Sequence, residues 1–249
     1  MTKGDAIKTR FVRSKCVLAL LLALAGTTAS AGLFSVTPVR IYMTPRDRAV
    51  AVTITNEGDE ELVMQAELFS WAQNADGTDN LQPTEDLILA PPIIKLAPRA
   101  RQVVRLAVLQ REATSAQRTY RMVVREVPEA KAADKGIQLQ IALAFNMPVF
   151  ITPPGAKGDL GCKVDRAAAD TVTAVCANGG SAYAQPREFI LTTAAGEKIA
   201  TRDTGGYILP RVTRAFELKK QSGPIPGGNA KLGVTLDDGS TQSFDVTIP

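Results

Sequence analysis

The side chains able to do chemistry are few, and their spacing narrows the possibilities. The 249-residue chain holds no histidine. That excludes His-dependent triads, Cys–His pairs and His-ligated metals. A serine nucleophile would need a lysine base instead, and no such arrangement stands out. Asn74-Ala-Asp-Gly-Thr-Asp-Asn80 offers oxygens to a cation but lacks the twelfth-position glutamate of a calcium loop. A polar loop with an Asp-Gly turn accounts for the same residues. Gly205-Gly206 and Gly227-Gly228 do not join a strand pattern to a helix pattern, so they form no phosphate cradle. The expectation is a protein that is not an enzyme, with no catalytic residue, no cofactor and no metal.

Cysteine chemistry depends on compartment. Lys3, Lys8, Arg10, Arg13 and Lys15 precede the apolar run Val17 to Ala25, and Thr27-Thr-Ala-Ser-Ala31 follows it with small residues at Ala29 and Ala31. This is the pattern of a secretory signal peptide over 1–31, cut after Ala31. The apolar run is too short to span a bilayer, so no membrane insertion of the mature chain is expected. Removing 1–31 takes away five basic residues and one acidic residue and leaves 24 of each. The neutrality of the mature chain argues against a nucleic-acid partner, as does the low aromatic count of the full sequence, 8 Phe, 4 Tyr and 1 Trp. Cys16 leaves with the leader. Cys162 and Cys176 remain, an even count in an exported protein, and read as one disulfide. The runs around them mirror about residue 169, with Ala167-Ala-Ala-Asp170 as the turn, which sets the two cysteines opposite each other.

The elements carrying these residues read as strands. Val50, Val52 and Ile54 alternate with small or polar residues up to the turn Asn56-Glu-Gly-Asp59. Glu61 to Trp71 alternates again, with Leu62, Met64, Ala66 and Leu68 on one face. Gln102 to Val108 and Thr119 to Val127 are further runs. Ile151-Thr-Pro-Pro-Gly155 reads as a linker. Short strands then resume to the end of the chain, with Asp237-Asp-Gly239 as a hairpin turn. No amphipathic helix stands out. About seven short strands per half, at roughly 8–12-residue spacing, predict an all-β chain of two immunoglobulin-like sandwiches. Their limits are placed at 32–152 and 153–249.

One run is unusual. Between Ile137 and Met147 the odd positions carry Ile137, Leu139, Ile141, Leu143, Phe145 and Met147, while the even positions are small or polar. A core-facing strand would show this pattern. Yet the run would span about 33 Å, longer than the usual strand. A long strand with one continuous apolar face also suits lending that face to a partner.

Several segments together resemble the PapD-like periplasmic chaperones of the chaperone–usher pathway. They are Ser35-Val-Thr-Pro-Val-Arg40, Ala90-Pro-Pro-Ile-Ile-Lys-Leu-Ala-Pro98 followed by Gln102-Val-Val-Arg-Leu106, Tyr120 to Pro128, and Leu139-Gln-Ile-Ala-Leu143. The resemblance covers most of residues 33–154. It implies two sandwiches with a cleft between them, a periplasmic location, and partners that are pilus or fimbrial subunits and an outer-membrane usher. It further implies that Ile137 to Met147 is the donor strand and that Arg40 holds a subunit's C-terminal carboxylate. The chain departs from the family where a lysine normally helps that arginine, because the position falls at Pro148. Antiparallel neighbours would bring the start of the Thr119–Val127 strand beside Pro148, so Arg121 is the expected replacement, with Arg118 and Arg125 as rivals. The alternative reading is a secreted two-domain immunoglobulin-like adhesion or envelope protein.

Overall fold

Alternation decides which side of each strand is buried, and both halves of the chain obey it. A computed structural model describes residues 34–74, 76–110, 114–127, 142–221 and 223–249, the side chain of residue 166 excepted. The leader expected over 1–31, and Ile137, Leu139 and Ile141 of the expected donor run, lie outside the described residues. Among the described residues there is no helix.

The first sandwich contains β1 (Phe34–Thr37), β2 (Ile41–Met43), β3 (Ala49–Asn56), β4 (Leu62–Gln73), β5 (Asp79–Pro83), β6 (Leu87–Ala90), β7 (Ile93–Leu96), β8 (Arg101–Val108), β9 (Arg118–Glu126) and β10 (Ala144–Ile151). One sheet runs β1-β3-β8-β6; the other runs β2-β10-β9-β4-β5, with β7 also paired to β4. The chain changes sheets between β1 and β2, where the Thr37–Pro38 peptide is cis. After it, β2 lies parallel to β10, with Ile41 opposite Val149. Inward residues from both sheets fill the core: Val52 and Ile54, Leu62 and Met64, Val104 and Leu106, Met122 and Val124.

The second sandwich contains β11 (Leu160–Ala167), β12 (Thr171–Asn178), β13 (Pro186–Thr193), β14 (Lys198–Arg202), β15 (Thr213–Lys220), β16 (Gly228–Leu236) and β17 (Thr241–Ile248). Its strands follow the order β11-β12-β15-β14-β13-β16-β17, and the two end strands pack together around one core. Cys162 stands opposite Cys176 in the β11–β12 register, and a disulfide joins them.

Each sandwich buries one asparagine at the end of a strand. Asn56 donates to the carbonyls of Glu60, Leu96 and Ala97 and accepts from the Gly58 N–H. Asn178 donates to those of Ala182 and Ile208 and accepts from the N–H groups of Asp159 and Gly180. A fully bonded amide lets loop backbone be buried without orphaned groups.

Two boundaries differ from the sequence expectation. The polar loop expected over Asn74–Asn80 is shorter, because Asp79 and Asn80 are already in β5, paired with Gln73 and Ala72. The linker expected from Ile151 starts later, because Ile151 still pairs with Arg118 and Met43 within the sheet.

Candidate functional site

The site is built on the outer face of the β2-β10-β9-β4-β5 sheet. In β4 the even positions Leu62, Met64 and Ala66 enter the core, whereas Trp71 is on the odd-numbered, outward side. It is nevertheless only 3% exposed. Phe150 repeats the pattern: Val149 and Ile151 face the core, and Phe150 points outward yet is fully buried. Both are covered by the second sandwich. Trp71, Phe150 and Leu209 form a small separate core with Tyr183 and Tyr207 packed on it. Phe150 stacks on Tyr183 at 4.4 Å and on Tyr42 at 5.7 Å, and Trp71 meets the Tyr207 ring edge-on at 5.3 Å.

Two glutamines bond the sandwiches together beside these rings. Gln73 donates to the Tyr207 carbonyl and accepts from the Leu209 N–H, both at 3.0 Å. Gln117 donates to Thr152 Oγ1 at 2.7 Å and accepts from the Tyr183 N–H at 3.0 Å.

This joint places both sequence-predicted arginines. Arg40, one residue before β2, shares the outward side with Tyr42. Its Nη1 donates to Asp237 Oδ2 at 3.1 Å, and its guanidinium carbon lies 5.7 Å from the Tyr207 ring centroid. The Tyr183 hydroxyl donates to the same Asp237 oxygen at 3.2 Å and lies 2.9 Å from the Tyr42 hydroxyl. Burial works against the Arg40 charge, but Tyr42, Tyr207 and Asp237 outweigh it, and its pKa lies above the ordinary value. Burial also pushes the Tyr183 phenol up, reinforced by Tyr42 and by the negative charge of Asp237.

Arg121 stands opposite Pro148 in the β9–β10 register, as the sequence led us to expect. Its guanidinium carbon sits 3.6 Å from the Trp71 ring centroid and 5.7 Å from that of Tyr207, and its Nη2 pairs with Asp79 Oδ2 at 3.1 Å. Burial lowers its pKa, and Asp79 opposes the shift. Arg121 Nε and Trp71 Nε1 are buried with no hydrogen-bond partner. The rivals point elsewhere: Arg118 donates to the Gln110 carbonyl, and Arg125 pairs with Glu67. Arg40 and Arg121 therefore flank one tyrosine ring. Two cations beside phenol hydroxyls suit a carboxylate. Among the described residues no group of His, Cys, Asp and Glu could hold a metal ion.

The described end of the expected donor run divides in two. Leu143 is 38% exposed. Phe145 is half-buried with its ring 4.9 Å from that of Phe34, and Met147 is only 2% exposed, both on this chain's own core. Phe145 and Met147, expected to fill a partner's pockets, face this chain's own core in the structure, because β10 has already entered the sandwich there. Along its other edge β10 pairs with β2 only at Val149 to Ile151, so Ala144 to Pro148 have no strand on that side among the described residues.

Sequence reasoning missed Tyr42, Asp79, Trp71, Phe150, Tyr183, Tyr207 and Asp237. Phe69 and Trp71 on the otherwise mixed odd face of β4 were a readable signal, as was the unbroken apolar run Val149-Phe-Ile151. Asp237 gave none, since a hairpin turn already explained it.

The fold matches solved structures along nearly its whole described length. A chain of the CsuC–CsuE chaperone–tip adhesion subunit pre-assembly complex, from archaic chaperone–usher Csu pili of Acinetobacter baumannii, is 18% identical, with a TM-score of 0.64 over 87% of this chain and 99% of that one. The E. coli chaperone DraB is 19% identical, with a TM-score of 0.57 over 89% and 99%. A chain of the Salmonella enterica SafA pilin–SafB chaperone complex is 14% identical, with a TM-score of 0.57 over 89% and 99%. No curated protein matches the chain. The model of the PapD N-terminal domain of pili and flagellar-assembly chaperones matches residues 33–157. The chain belongs to this family of pilus-assembly chaperones, which are not enzymes.

Proposed function

We propose that the chain works in the periplasm as a donor-strand chaperone, released by cleavage after Ala31. It captures pilus or fimbrial subunits that lack a strand and passes them to an outer-membrane usher. Residues 32–152 form the capturing domain and 153–249 the second domain. The observation that carries this reading is β10. One face of this strand is core at Met147, Val149 and Ile151; Leu143, just before it, is exposed, and its edge from Ala144 to Pro148 has no neighbour among the described residues. An incoming strand would find backbone hydrogen bonds along that edge and apolar side chains on that face. Ile137, Leu139, Ile141 and Leu143 are the proposed donor residues.

Arg40 and Arg121 form the proposed anchor for the subunit's C-terminal carboxylate. Their shared position beside Tyr207 supports it, as does the unspent Nε of Arg121. The test is co-purification from periplasm, with mass spectrometry of what is recovered. The intact chain should bring down a small pilin. Ile141→Asp and Leu143→Asp should lose it while keeping the melting temperature. A variant that instead fails to fold would make the run ordinary core, and recovery of the pilin by both variants would remove the strand from the mechanism.

A further inference from the structure

Arg40 is not idle in the free protein. It holds a carboxylate of the second sandwich, Asp237, at the tip of the β16–β17 hairpin. The tip does not need this residue to close. Leu236 N–H donates to the Ser240 carbonyl and Gly239 N–H to the Leu236 carbonyl, while Asp238 accepts from the Ser240 N–H and hydroxyl. Gly239 supplies the positive φ of 84° that the turn requires. Asp237 is thus free of turn duty, and its Oδ2 is spent on Arg40 Nη1 of the first sandwich and on the Tyr183 hydroxyl of its own. Although it sits on a hairpin tip, its side chain is only 19% exposed.

We propose that Asp237 is a resident stand-in for the subunit's C-terminal carboxylate and sets the selectivity of the anchor. The proposal rests on the reading of Arg40 as that anchor. The pairing with Arg40 is through one nitrogen and one oxygen, half of what an arginine fork offers a carboxylate. A terminal carboxylate presented head-on can take both arms. An intramolecular competitor acts at high effective concentration, on the order of millimolar. Free carboxylates therefore lose to Asp237. Only a chain end also held by strand pairing along β10 displaces it. When that happens the hairpin tip moves off Arg40 beside a cavity of about 550 Å³ lined in part by Tyr42, Lys157 and Gln242.

The test uses the full mature chain and N-acetyl-dialanine as free acid and as amide, with binding read from NMR shifts of the arginine Nε–H groups. Asp237→Asn should bind the acid at least tenfold more tightly than the parent, and the amide should bind neither. Tyr183→Phe, which loosens Asp237 without removing its charge, should give a smaller gain of about threefold, in proportion to one lost hydrogen bond. Adding Arg40→Ala to Asp237→Asn should abolish acid binding. Equal acid affinity in parent and Asp237→Asn, with binding still lost on Arg40→Ala, overturns the stand-in and leaves the anchor. Acid that binds regardless of Arg40, or binds none of these proteins, overturns the anchor itself.

Discussion

The two sandwiches solve the same folding problem and finish it differently. Both stack alternating strands over a core of apolar residues, and both bury one asparagine to satisfy a loop. The second then closes on itself: β11 packs against β17, a disulfide ties β11 to β12, and no large hydrophobic among its described residues is markedly exposed. The first leaves Val39, Tyr42, Ile88, Ile93, Val103, Leu109, Val127 and Leu143 exposed, together with one edge of β10 that has no neighbour from Ala144 to Pro148 among the described residues. Exposed apolar surface and open edges invite association, so they persist where association is the function. On the proposed reading, the second sandwich contributes Asp237 and the first the surface that a subunit covers.

The sharpest way to break this contrast lies in β10 and the residue just before it. Met147→Asp puts an unpaired charge into the first core and should cost more than about 4 kcal/mol of stability. Leu143→Asp, four residues away on the same face, should change stability by no more than about 0.5 kcal/mol, since its side chain is already solvated. Chemical denaturation of both variants checks this, and equal costs would erase the division of the strand. Phe150→Ala should cost about 3–5 kcal/mol if the joint packs like a true core. Small-angle scattering should then show the two sandwiches loosened, with each still folded.

Replacing both cysteines by serine should cost the second sandwich about 3 kcal/mol, the chain-entropy value for a loop of this size. Domain-resolved hydrogen exchange should find the first sandwich unaffected. Arg40→Ala should weaken subunit binding by about 2–5 kcal/mol, the usual cost of truncating a buried charged pair. The smallest effect concerns pH. Burial raises the Tyr183 and Tyr207 phenols above their ordinary value in the folded state. The stability they contribute is therefore complete below the unfolded tyrosine pKa of about 10 and is lost as pH rises beyond it. Denaturation curves at successive alkaline pH should show this fall, and Tyr183→Phe should flatten it.

Much of this was legible in the sequence, for a physical reason. Period-two alternation and turn residues are local signals, so β4, β8 and β9 stand close to where the pattern put them. The mirror about residue 169 likewise set Cys162 opposite Cys176. Antiparallel pairing carried Arg121 to Pro148 across a long connection, because register follows once two strands are neighbours. The joint was not legible. Trp71 packs on Tyr207, 136 positions away in sequence, and Phe150 on Tyr183, 33 away, and nothing local marks an outward aromatic as covered. For the same reason the apolar run from Ile137 to Met147 reads as one strand, although Met147 lies in this chain's own core: alternation names a face but not the point at which a strand enters its own core.

The most direct measurement is backbone hydrogen exchange of the free chain and of its complex with a pilin recovered from periplasm. The amides of Ala144 and Asn146, which alternate with those bonded to β9 and face the open edge, should exchange quickly in the free chain and become strongly protected in the complex, while those of β17 stay unchanged. Unaltered exchange at Ala144 and Asn146, with new protection on the second sandwich, would contradict the assignment of subunit capture to the open edge of the first.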